Sequence, residues 1–119
     1  MALTGQVVTR VRAELSRVAA DGGRCAERAE IALGEGPVEQ RLAAAICALA
    51  EHRGPDSSTC PSDAARAVGG ENWRDLMADA RDLARDLART GEVEITQRGK
   101  VLDPDSDWHG PIRIRIVSG

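Results

Sequence analysis

The chain has no phenylalanine and no tyrosine, and its only aromatic residues are Trp73 and Trp108. A core built from it must therefore be aliphatic, with Ala, Leu, Val and Ile carrying the burial. Cysteine is scarce as well. Cys25, Cys47 and Cys60 are odd in number, far apart and without a Cys-x-x-Cys pair, which excludes a disulfide framework and argues against a zinc site. Buried or inert thiols in a reducing compartment are the expectation. No run approaches the ~18 apolar residues needed to cross a bilayer. Arg10 and Arg12 also interrupt the start before a signal-peptide core develops, so no membrane association and a cytoplasmic location are expected. Net charge is −3 with a pI near 5.4, which gives no general attraction to nucleic acid or to an anionic membrane.

At 119 residues the chain fits one domain with an appended element. Val7, Val8, Val11, Leu15, Val18 and Ala19 share one helical face, opposite Arg10, Glu14, Arg17 and Asp21, and Gly22-Gly23 stops the helix. A short helical pattern, Cys25 to Leu33, runs into Gly34-Glu35-Gly36-Pro37, the best linker candidate. The expected division is a helical extension over 1–37 and a second unit over 38–119. The Val-rich face is too apolar to remain in water, so the extension is expected to cover that unit or a second subunit as a homodimer contact.

From Val38 to about Arg53, the residues Val38, Leu42, Ala45, Ile46 and Leu49 recur at helical spacing before Gly54-Pro55. Ser57 to Cys60 can pair as a small strand, and Pro61 suits the first turn of the next helix, where its missing N–H costs nothing. Gly69-Gly70 breaks that helix. A further helix is expected from Asn72, as its cap, to Thr90. It divides into an apolar face headed by Trp73, which is expected to be largely buried, an arginine stripe of Arg74, Arg81, Arg85 and Arg89, and an aspartate stripe of Asp75, Asp79, Asp82 and Asp86. After Gly91, Val93 and Ile95 alternate with polar residues as in a half-buried strand. Gln97 to Lys100 reads as a turn with Gly99 at positive φ, Val101-Leu102 returns, and Ile112, Ile114 and Ile116 point inward from a last strand. The pairing order stays open. Helix, helix, helix and hairpin together spell an α+β winged helix: a helix-turn-helix plus a small antiparallel wing, preceded by the helical extension.

Cys60-Pro61-Ser62, Ala65-Arg66-Ala67, Trp73-Arg74 with Leu76-Met77, the run from Gly91 through Ile95-Thr96-Gln97 to Gly99, Asp103-Pro104 and Gly110-Pro111-Ile112-Arg113 resemble a bacterial family known as domain of unknown function 3253, over about residues 39–116. The resemblance implies a winged helix and brings no catalytic or binding residues with it.

The third helix stands where helix-turn-helix proteins place their groove-reading helix, yet half of its outward face is Asp, which repels phosphate. Asp82–Arg85 and Asp86–Arg89 fit as i,i+3 pairs. The segregated stripes nevertheless set like charges side by side at i,i+4, a repulsion that a complementary surface, on residues 1–37 or a second subunit, would relieve. The wing is the basic part: Arg98 and Lys100 at its turn, and Arg113 and Arg115 on the last strand, where Glu92 and Glu94 could neutralise them. Asp103, Asp105 and Asp107 alternate as in a calcium loop, but positions six and twelve are Trp108 and Ile114 rather than Gly and Glu. His52 and His109 lie on different elements without a nucleophile motif. No metal, cofactor or enzymatic role is therefore expected. The first expectation is a regulatory, DNA-associating protein making backbone contacts through Arg98, Lys100, Arg113 and Arg115 with Arg74, Arg81 and Arg85. The alternative is a protein-interaction module that does not bind nucleic acid.

Overall fold

A computed structural model describes residues 3–23 and 25–117, with side chains from residue 10 onward. The expected inward faces of Val7 and Val8 thus lie outside the described side chains. The helices are α1 (Leu3–Asp21), α2 (Ala26–Leu33), α3 (Val38–Arg53), α4 (Pro61–Gly69) and α5 (Met77–Arg89), with a 3-10 segment (Gly70–Leu76) joining the last two. The strands are β1 (Val93–Gln97), β2 (Lys100–Val101) and β3 (Arg113–Ile116). Helices followed by a small antiparallel sheet make this an α+β winged-helix arrangement.

The centre is α3. Its stretch Ala44-Ala45-Ile46-Cys47-Ala48-Leu49-Ala50 is buried on every side, as a helix apolar all round must be. The other helices and β3 pack around it. With no large aromatics available, small alanines and the aliphatic Leu42, Ile46 and Leu49 fill this centre. Val38 is the exception among the expected core positions of α3. It sits on the first turn and is 42% exposed.

The N-terminal helices fold back onto the same chain. Val11, Leu15 and Val18 of α1 and Ala29 and Ala32 of α2 join one continuous core with α3, α4 and the sheet. The junction is reinforced by Arg53, which reaches both carboxylate oxygens of Glu14 at 2.8 and 3.1 Å and Asp63 at 3.1 Å. Burial opposes ionisation of Asp63, but hydrogen bonding from Thr59 and the charge of Arg53 outweigh it and hold the carboxyl below its usual range. The Arg53 guanidinium is held more firmly protonated, first through its hydrogen bond to Glu14.

Pro61 occupies the first turn of α4, and Asp63 accepts from the Cys60 N–H. Thr59 forms a two-bond bridge with Ile114, at 2.8 and 2.7 Å, which ties the strand-like segment before α4 to the sheet. The α4–α5 connection departs from sequence expectation. Asn72 does not cap a helix: it lies inside the 3-10 segment at φ −96° and ψ 19°, and α5 starts only at Met77. Gly70, at φ +58°, turns the chain, and a Cβ on Gly69 would come within 2.8 Å of Leu76 Cδ1. The glycine pair lets the segment fold tightly against α4, at three residues per turn rather than 3.6. Trp73, within this segment, is largely buried as expected, packed against the core with its indole nitrogen out of solvent.

Gly91, at φ +82°, closes α5, with the Glu92 N–H bonded to Leu87 O and the Gly91 N–H to Ala88 O, the paired bonds of a Schellman motif. The sheet order is β2-β1-β3, so β1 pairs with both neighbours, and Glu94 lies opposite Arg115. Arg98 and Gly99 both take positive φ, +53° and +82°, the conformation a two-residue hairpin loop requires. Val93, Ile95, Ile112 and Ile114 face the core.

Candidate functional site

Three groups of arginines lie on or beside the helix-turn-helix and wing, and their partners differ. The first runs along α5. Arg81, Arg85 and Arg89 are spaced four residues apart, a ladder of about 12 Å, and the whole ladder faces the loop between β2 and β3. Arg81 donates to Gly110 O at 3.2 Å and Trp108 O at 3.4 Å. Arg85 donates to Pro104 O and, at 2.8 Å, to Ser106 O, while its guanidinium lies 4.1 Å from the Trp108 ring centroid. Arg89 binds Asp105 at 2.7 Å and Asp86 at 3.3 Å. Trp108 is buried beneath this ladder, its indole N–H bonded to Asp103 O at 3.0 Å. The complementary surface that the like-charge spacing called for is thus the chain's own loop. Only one of the two expected i,i+3 pairs forms, Asp86–Arg89, because Arg85 is drawn to the loop. Asp75, Asp79, Asp82 and Asp86 remain exposed.

The second group is the wing. Arg115 bonds Glu94 at 3.0 Å, a cross-strand pair. Arg113 instead donates to Ser58 Oγ at 2.8 Å and Ser58 O at 3.1 Å, fastening β3 to the segment before α4. The side chains of Arg98 and Lys100 are exposed at the hairpin tip and form no hydrogen bond or ion pair with a described residue. Beside them, a shallow cleft is lined by Gln97, Arg98, His109, Gly110 and Pro111, and Gln97 Nε2 closes its floor by donating to His109 O and Pro111 O.

The third group lies at the helix-turn-helix corner. Arg66 of α4 and Arg74 of the 3-10 segment both stack on Trp73, their guanidinium carbons 4.2 and 4.6 Å from the ring centroid. Arg66 Nη1 also reaches Ser62 Oγ at 3.4 Å, and that hydroxyl lies 2.9 Å from Cys60 Sγ. Arg12 of α1 donates to Ala67 O at 2.6 Å, a cation on the closing turn of α4. Two buried side-chain donors have no acceptor among the described residues, Arg66 Nε and Trp73 Nε1, and both belong to this stack. An unmade buried donor costs about 1–3 kcal/mol, whereas stacking on a partly exposed ring returns about 0.5–1 kcal/mol. The corner therefore carries a polar deficit that stacking does not offset. Sequence reasoning selected Arg74 but missed Arg66 and the contact itself. The available signal was an arginine seven residues before a tryptophan across a Gly-Gly turn.

The remaining candidates supply no chemistry. Burial pushes the Cys47 thiol up to about 11, which removes it as a nucleophile at neutral pH. Among the described residues there is no group of His, Cys, Asp and Glu that could hold a metal ion. The loop aspartates serve as turn formers, with Asp103 Oδ1 accepting from the Asp105 N–H at 2.9 Å. No helix among the described residues is long and apolar enough to cross a membrane.

The α3–α4–α5 core and its three-stranded wing define the class, a winged-helix domain. A family profile described as protein of unknown function (DUF3253) matches residues 39–117. The chain belongs to that family, with α1 and α2 lying before the matched region. A search of curated proteins finds no match.

Proposed function

We propose that this is a non-enzymatic, cytoplasmic bacterial protein that acts by binding another protein through the outward face of α5. One observation carries the reading: Arg81, Arg85 and Arg89 are engaged by the chain's own loop, so the charge left exposed along α5 and the turn before it is that of Asp75, Asp79 and Asp82, with Asp86 shared with Arg89. A groove-reading helix needs outward donors for base edges and phosphates. A row of carboxylates repels a phosphodiester backbone and complements a surface rich in Lys and Arg. The second reading, backbone contact with DNA at the wing, is favoured by Arg98 and Lys100, which have no partner among the described residues. Of the seven arginines and lysines considered for DNA contact, Arg81, Arg85, Arg113 and Arg115 support this reading least, because each already has intramolecular partners.

The two readings separate in one binding experiment. Immobilised protein is offered a labelled DNA duplex at ~50 mM salt and a library of short Lys/Arg-rich peptides. The expected result is no retention of duplex, together with a selected peptide set lost on Asp79→Asn combined with Asp82→Asn. Duplex binding that Arg98→Ala with Lys100→Ala abolishes, with the log–log salt slope reduced by about 0.9 per lost contact, would overturn the protein-binding reading.

A further inference from the structure

We propose that Arg66, Trp73 and Arg74 form a binding site for a phosphate monoester at the helix-turn-helix corner. The site does not depend on the acidic face of α5. Both buried side-chain donors without an acceptor, Arg66 Nε and Trp73 Nε1, converge on one stack, and what they lack in common is an oxygen acceptor. The stack's two guanidinium groups form no ion pair with a described carboxylate, in contrast to Arg28, Arg53, Arg89 and Arg115. Two unpaired positive charges and an indole N–H exceed what one carboxylate takes up. They suit a dianion with three terminal oxygens, which guanidinium forks bind in pairs.

Arg74 is the movable part. It is exposed and held only by its stack over the Trp73 ring face, so its guanidinium is free to turn toward an oxyanion while Arg66, hydrogen-bonded to Ser62, stays as the fixed wall. The surroundings favour a single phosphate over a duplex. Glu71, Asp75 and Asp79 are exposed on either side of Arg74 in the chain, and they would repel the neighbouring phosphates of a polyanion but leave room for one terminal group.

The test follows the two indole N–H signals of the isotopically labelled full chain by NMR, with Trp73→Phe assigning them. Inorganic phosphate is expected to move the Trp73 signal saturably and leave that of Trp108, already bonded to Asp103 O, in place. Arg74→Gln, a surface change that preserves folding as read from the Trp108 signal, should weaken the effect roughly tenfold, the loss of a charge-assisted hydrogen bond. Arg74→Lys should recover only part of it, because Lys is a point charge. A phosphoserine peptide binding more tightly than inorganic phosphate assigns the group to a protein, and equal affinity assigns it to a free phosphate ester; either supports the site. A Trp73 signal unmoved at phosphate concentrations on the order of 10 mM, or one that responds to a DNA duplex at lower concentration than to phosphate, overturns the proposal.

Discussion

Two tryptophans lie under arginine side chains in this molecule, and their surroundings are opposite. Trp108 is 9% exposed, covered by Arg85, and its N–H is bonded to Asp103 O. Trp73, in the 3-10 segment, is partly exposed, carries two guanidinium groups and has no acceptor for its N–H among the described residues. The same pair of residue types acts in one place as a lock, with the Trp108 N–H and Arg85 Nη1 on loop carbonyls, and in the other as an open valence. Stacking alone does not distinguish structural from binding arginines; the fate of the remaining donors does.

The comparison is most sharply broken at the rings themselves. Trp108→Ala should cost about 3–5 kcal/mol, as for a buried aromatic, and should free the loop at 103–110. Trp73→Ala should cost less, since its ring is less completely buried and its removal also abolishes an unmade donor. Chemical denaturation of the two variants checks the order, and equal losses would erase the distinction.

A smaller effect is expected at the arginines. Arg85→Ala leaves Pro104 O and Ser106 O without their charged donor and should destabilise by about 1–2 kcal/mol. Arg74→Ala removes a stack from an exposed side chain and should change stability by less. Hydrogen exchange in the 103–110 loop should rise for the first variant only.

The smallest effect concerns pH, and it sets Arg53, which has carboxylate partners, against Arg66 and Arg74, which have none. The folded pKa of Asp63 lies below its unfolded value, so its contribution to stability is present above the unfolded range and is lost as pH falls through the folded value, below about pH 4. Protonation leaves the Thr59 contact and the Arg53–Glu14 pair in place, which limits the loss. Asp63→Asn should flatten this part of the stability profile, and an unchanged acid limb would remove Asp63 from the account.

Hydrophobic period and glycine or proline stops were enough to locate α1, α3, α4 and the strands, because those signals are local. The turn at Gln97 to Lys100, Pro61 at the head of α4 and the pairing of Thr59 were legible for the same reason. The 3-10 segment was not. Its winding follows from Gly69 allowing close approach to Leu76, a contact that no periodicity encodes, and Asn72 was misplaced as a cap for the same reason. Nor could the arginine stripe's partner be read: the like-charge spacing at 81, 85 and 89 called for a complementary surface, but residues 1–37 or a second subunit were the expected source and the 103–110 loop supplies it.

The sequence by itself determined an aliphatic core, five helical segments, a hairpin wing and an acidic stripe on α5, all of which depend on residue type and spacing along the chain. Tertiary structure alone decided that β1 would be the central strand, that the 103–110 loop would take up Arg81, Arg85 and Arg89, and that Arg66 and Arg74 would meet on Trp73. Those outcomes turn on which donors and acceptors arrive within about 3 Å of one another, a distance set by packing between segments remote in sequence.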